Sequence, residues 1–363
     1  MKAESNRVLR LFLEMLLISI AVSLFQVMIL TCMGYKVVDK ILGKVYTNAE
    51  DTETHESAQE LADYYTKLQQ LGVFDNSPDE AFPQTVVHKL VTEHFSAPLP
   101  PGKTVKKAII LGYDGFRADA LGYIKDEKQS ALMRIKNQGG NIYHAFAGGV
   151  AGENEQPTVS APGWLSVLTG GWADYHGVYD NAHMKNQSET FLTELARNGV
   201  HTSLSFSWRD FVFVACKPEV AHAIQENLPA QFNCTSHDSE TYFQTLRYFS
   251  QPNEVERTLG EIDLFFVYFA KPDSAGHTYG FYNNPDYAEA CKTADAEGYD
   301  ILEAIESREA YSQEDWLKIV ITDHGGVEMS HGGQTLPERA IWIALNRGIP
   351  ATEEYSRYAR KSN

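Results

Sequence analysis

A chain of 363 residues, 43% hydrophobic and 22% charged, is long enough for one large α/β domain with additions or for two ordinary domains, and too apolar for disorder as its main state. Its 31 basic and 48 acidic residues give a net charge of −17, a surface that repels polyanions and argues against a nucleic-acid polymer as partner. Four cysteines exclude a disulfide scaffold; Cys32 lies in an apolar run, and among Cys216, Cys234 and Cys291 the proximity of the first two predicts a Cys216–Cys234 bridge.

Met15 to Tyr35 carries no formal charge, and a helix of that length spans about 30 Å, the thickness of a bilayer's hydrocarbon core. Lys2, Arg7 and Arg10 precede the run and no small-x-small cleavage site follows it, so residues 1–35 read as an uncleaved signal anchor, a single transmembrane pass. Lys36, Lys40 and Lys44 balance the charge on its other side, which leaves orientation undecided. Residues 36–102 read as a helical stalk and linker. Ala58, Leu61, Ala62, Tyr65 and Leu68 recur at helical spacing before Gly72, and Val86, Val87, Leu90, Val91 and Phe95 form a second stripe. The prolines 98, 100 and 101 then break the helical pattern.

From residue 103 to about 350, short apolar runs alternate with helical stretches, which predicts an α/β domain with a largely parallel sheet flanked by helices. Residues 351–363 form a C-terminal tail. The predicted strands are Lys107–Tyr113, Thr202–Phe206, Ile262–Ala270, Leu317–Thr322 and Ala340–Leu345. Three of them lead into Asp114, Asp273 and Asp323, and the carboxyl ends of parallel strands are where such sheets bind ligands. Asp273 and His277 stand four apart, on one face of a helical turn; Asp323 is followed by His324, and His331 comes seven residues later. Mixed carboxylate and imidazole ligands suit zinc first, then manganese or another divalent ion.

These residues resemble the type I phosphodiesterase/nucleotide pyrophosphatase family of the alkaline phosphatase superfamily. Asp114-Gly115-Phe116-Arg117 is similar to its first metal motif, and Pro157-Thr158-Val159-Ser160-Ala161-Pro162 to its nucleophile segment. Leu168-Thr169-Gly170 and His176-Gly177-Val178 continue the match to Asn181, and Asp273 with His277, Asp323-His324 and His331 follow in family order over residues 106–347. The resemblance implies an alkaline-phosphatase-like fold and two divalent ions, most simply zinc. It assigns one ion to Asp273, His277 and His331, and the other to Asp114, Asp323, His324 and the hydroxyl of Ser160. It makes Ser160 the nucleophile, with Thr158 as the alternative hydroxyl, and gives Asn181 a phosphate oxygen to bind. Metal coordination is one accepted way to activate a serine, and three carboxylates against two divalent cations leave a net +1 that suits a monoanionic phosphodiester.

Ala161 stands where nucleotide-cleaving members often carry an aromatic residue, and Val159 where some carry lysine, so base stacking is not implied. The six residues between His324 and His331 resemble the compact spacing of the glycolipid ethanolamine-phosphate transferase branch. The sulfatase pattern is absent, because Gly163 and Trp164 follow Pro162. Three readings follow: a membrane-anchored hydrolase of phosphodiester or pyrophosphate bonds, working through a phosphoserine on a small nucleotide-like substrate or lipid head group; a phosphoethanolamine-type transferase; and a non-catalytic metal-binding ectodomain. Asn186-Gln187-Ser188 and Asn233-Cys234-Thr235 have the form of glycosylation acceptors, compatible with an extracytoplasmic domain.

Overall fold

A computed structural model describes residues 58–251 and 260–361. The predicted anchor at residues 15–35 lies outside the described residues. Among the described residues no helix is long and apolar enough to cross a membrane.

Eight strands form one sheet: β1 (Phe82–Pro83), β2 (Val105–Tyr113), β3 (Asn141–Phe146), β4 (Thr202–Phe206), β5 (Ala230–Cys234), β6 (Leu264–Phe269), β7 (Glu314–Ile321) and β8 (Ala340–Leu345). Their order across the sheet is β1-β3-β8-β7-β2-β6-β4-β5. β2 pairs in parallel with both β6 and β7, and β4 with both β5 and β6, while β8 runs antiparallel to its neighbours β3 and β7. All five predicted strands are present. The sheet is therefore mixed, because an apolar run such as Ala340–Leu345 encodes a buried strand and not its direction.

The central strands are apolar on both faces, as a sheet covered by helices on both sides requires. Ala108 and Ile110 of β2 join Phe266, Ile319 and Ile343 in one core, whereas Ile109, Leu111 and Tyr113 join Val267, Phe269, Val320 and Trp342 in the other. Each fully buried Ile or Phe contributes about 1.5–3 kcal/mol relative to exposure.

Residues 58–96 are part of this body and no separate stalk. Val86, Val87, Leu90 and Val91, on helix Val86–Ser96, are buried in the same core as Ile110, and Leu68, on helix Ala58–Gln70, is buried in the opposite core. β1 pairs with β3. The second apolar stripe was a core face, and an amphipathic pattern does not say what it packs against. The C-terminal tail is docked as well: Arg360 N donates to Gly170 O at 2.7 Å, and the Tyr358 hydroxyl lies 3.1 Å from His88 Nδ1.

Two further expectations are corrected. Cys216, Cys234 and Cys291 are all free thiols. Cys216 is fully buried after strand β4, and Cys234 ends edge strand β5 with its thiol facing the Thr235 carbonyl, so neighbouring positions in sequence did not become a disulfide. Asn186 is buried and its carboxamide bonds both the N–H and the carbonyl of Ser188, which leaves no room for a glycan on its Nδ2 in this fold.

Candidate active site

Asp114 follows the last residue of β2, Asp273 sits in the first turn of helix Lys271–Tyr279 behind β6, and Asp323 follows β7 by two residues. These three strands are adjacent in the sheet, so one edge receives three carboxylates. The close approach needs glycine: Gly115 has φ +65°, and a Cβ there would lie 2.9 Å from both Cα and Oδ1 of Asp273.

The side chains gather into two clusters. In the inner one, His324 Nε2 lies 3.3 Å from Asp114 Oδ1 and 3.4 Å from Asp323 Oδ2. Ser160 Oγ is 3.2 Å from both Asp114 Oδ1 and His324 Nε2. In the outer one, His277 Nε2 and His331 Nε2 are 3.0 Å apart and lie 3.5 and 3.4 Å from Asp273 Oδ1. Potential ligand atoms of Asp114, Asp323 and His324, and likewise of Asp273, His324 and His331, lie within 4.8 Å of one another.

The three imidazoles are oriented alike. Nδ1 of His277, His324 and His331 faces the carbonyl oxygens of Met329, Gly325 and Thr158 at 2.9, 2.7 and 2.9 Å. A carbonyl can only accept, so each Nδ1 carries a hydrogen and each ring turns its Nε2 into the cluster, the nitrogen a ligating histidine offers. Asp273 Oδ1 and Asp323 Oδ2 are buried without a hydrogen-bond partner among the described residues. An orphaned buried carboxylate oxygen is costly unless something cationic meets it.

The electrostatics tell the same story. Burial, and then the Asp114 charge, push the Asp273 carboxyl up to about 7 and the Asp323 carboxyl well above its usual range. Burial would depress the His324 imidazole, but Asp323, Asp114 and Asp273 outweigh it and raise the ring to about 10. Burial, then His324 and His277, hold His331 well below its ordinary value. Three carboxylates crowded away from water draw in positive charge. The donor set of carboxylate oxygen and imidazole nitrogen fits divalent zinc or a related ion.

Ser160 opens helix Ser160–Thr169, whose dipole favours an anion at this end, although Ala161 N–H goes to Asn181, Pro162 has no N–H, and Gly163 N–H goes to Val159 O. Asn181 is exposed and its Oδ1 accepts from Ala161 N at 2.8 Å, which fixes the carboxamide beside the residue that follows Ser160. Thr158 is committed elsewhere: its hydroxyl donates to Gly333 O at 2.7 Å and accepts from Gly332 N at 3.2 Å, while its carbonyl takes the His331 Nδ1 hydrogen. That role in holding His331 has no signal in the sequence, because it runs through the backbone. Arg117 is turned away from any phosphate, with Nε and Nη2 on the two oxygens of Asp119 at 2.9 and 2.8 Å and Nη1 on Gly326 O at 2.7 Å. His176 is buried against Ser166 and lies outside both clusters.

The model of the family described as type I phosphodiesterase/nucleotide pyrophosphatase matches residues 108–348. No curated protein sequence matches the chain. Among solved structures, it is similar to an inactive variant of murine ectonucleotide pyrophosphatase/phosphodiesterase 5 in complex with AMP, at 18% identity and a TM-score of 0.42, over 61% of this chain and 57% of that one. The same murine protein in a second structure gives 18% identity and a TM-score of 0.42, over 61% and 58%. This chain thus spans less than two thirds of either. With a family match over well more than half of its residues, the chain belongs to the type I phosphodiesterase/nucleotide pyrophosphatase family.

Proposed function

We propose that the protein hydrolyses phosphodiester or pyrophosphate bonds of a small, nucleotide-like or lipid-head-group substrate through a phosphoserine on Ser160. The observation that carries this reading is the convergence of three histidine Nε2 atoms with three aspartates, each imidazole set by a backbone carbonyl on its far nitrogen. The family is metal-dependent. Asp273, His277 and His331 would hold one divalent ion, and Asp114, Asp323 and His324, with the Ser160 hydroxyl, a second, most simply zinc. Such ions supply Lewis-acid stabilisation of charge on the attacking, leaving and phosphoryl oxygens.

The chain's own residues do the rest. The Ser160 hydroxyl donates to Asp114 Oδ1, so its proton faces a carboxylate when Oγ attacks phosphorus. The Oγ–P bond forms as the bond to the leaving oxygen breaks, and the leaving oxygen takes up the proton that Ser160 loses; water then cleaves the phosphoserine, its hydroxyl going to phosphorus and its other proton to Oγ. The dipole of helix Ser160–Thr169 and the Asn181 amide N–H stabilise the phosphoryl oxygens. Asn181 is neutral and Arg117 is spent on Asp119, so a monoanionic diester is better served than a dianionic monoester, which needs an additional strong donor. Residues 15–35 would anchor the domain to a membrane on its extracytoplasmic side; protease added to intact cells then digests the domain, and protection until lysis contradicts this topology.

Ser160→Ala should abolish hydrolysis of bis(p-nitrophenyl) phosphate while fold and metal content persist, and an active variant would refute the mechanism. One observation favours a second reading. The His324–His331 segment is a short loop closed by paired hydrogen bonds between Val327 and Ser330, as compact as in the phosphoethanolamine-transferase branch. Product analysis with and without an acceptor alcohol separates transfer from hydrolysis.

A further inference from the structure

The two oxygens of Asp114 live in different surroundings. Oδ1 faces Ser160 Oγ and His324 Nε2 at 3.2 and 3.3 Å. Oδ2 accepts two hydrogen bonds, from Tyr268 Oη at 2.7 Å and from Trp164 Nε1 at 3.0 Å. Trp164 is fully buried and Tyr268 nearly so, and neither belongs to any motif singled out in the sequence.

Both donors are locked by packing. Trp164 stands four residues after Ser160, on the same face of helix Ser160–Thr169, so one helical turn presents both the hydroxyl and the indole N–H to one carboxylate. The indole lies against the sheet over Gly112, where a Cβ would come within 2.6 Å of its Cη2. Gly112 pairs with Tyr268 in the β2–β6 register. The Tyr268 ring is stacked on Phe206 at 4.3 Å and edge-on to Trp164 at 5.7 Å. Neither side chain can turn away without breaking the aromatic core.

We propose that Trp164 and Tyr268 are positioning residues that hold Asp114 through Oδ2, so that this carboxylate serves the inner cluster through Oδ1 alone and stands at a set distance from Ser160. Two donors on one oxygen make a rotated or two-oxygen binding mode of Asp114 require the loss of both hydrogen bonds. The proposal rests on the two-ion hydrolase reading above and concerns only how one ligand of it is held.

The test compares the wild-type chain with Tyr268→Phe, which keeps the ring and removes the hydroxyl, and with Trp164→Phe and the double variant. Zinc affinities come from competition with a chromogenic chelator, kcat and KM from bis(p-nitrophenyl) phosphate, and folding from circular dichroism and metal-free Tm. Tyr268→Phe should weaken one zinc site by about tenfold, leave the other within twofold, and lower kcat with little change in KM. The double variant should weaken that same site further. If Trp164→Phe fails to fold, Tyr268→Phe alone decides. A wild type that binds two ions and turns over, beside a Tyr268→Phe variant with both affinities and kcat within twofold, overturns the proposal and leaves the two-ion reading standing. A wild type that binds no zinc overturns both.

Discussion

The inner and outer clusters share strand ends and residue types but not solvent. The side chains of Asp114, Asp323 and His324 are 0% exposed, whereas those of Asp273, His277 and His331 are 18, 45 and 6% exposed. The inner set is walled by sheet and helix: Gly115 N donates to Asp323 Oδ1 at 3.3 Å, and Gly163 packs against the Asp323 side chain. The outer set leans on loops, since the Met329 and Thr158 carbonyls orient His277 and His331. On the two-ion reading proposed above, this unequal burial predicts a tightly held ion in the inner cluster and an exchangeable one in the outer. The Ser160 hydroxyl lies beside the inner cluster.

The contrast between the clusters can be disrupted in either one. Its largest expected effect is at the inner cluster, where Asp323→Ala should remove one ion and lower kcat by at least about a thousandfold, as loss of a group acting with the nucleophile does. His277→Ala at the exposed cluster should also remove one ion, but leave the other bound through dialysis; loss of both ions from His277→Ala would show that the clusters are one site. In a chelator time course the two ions should leave in separate phases about tenfold or more apart in rate, and a single phase would erase the distinction between buried and exposed sites. Smallest is Thr158→Ala, expected to weaken the outer ion by about tenfold through a loosened His331 loop, with Thr158→Ser restoring it. Equal weakening by Ser and Ala would place the effect in packing of the methyl group.

Much of the site was legible because each aspartate follows an apolar strand, and the three histidines stand at fixed offsets from them. The helix that brings Asp273 and His277 onto one face was legible in their spacing of four, and Lys271–Tyr279 is helical. Three strands were not legible. Asn141–Phe146 mixes polar and apolar residues, Ala230–Cys234 is an edge strand that is only half buried, and Phe82–Pro83 is two residues long. The integration of residues 58–96 was hidden for another reason, since a helical stripe states a face and not its partner. The supports of the site were hidden most deeply, because carbonyl oxygens at 158, 325 and 329 leave no side-chain signature.

The most direct test is the metal content of the purified chain taken together with its hydrolysis of bis(p-nitrophenyl) phosphate before and after chelation. Two ions per chain, mostly zinc, with hydrolysis that disappears on chelation and returns with added zinc, is the predicted result. Undiminished hydrolysis by chain stripped of metal would contradict it.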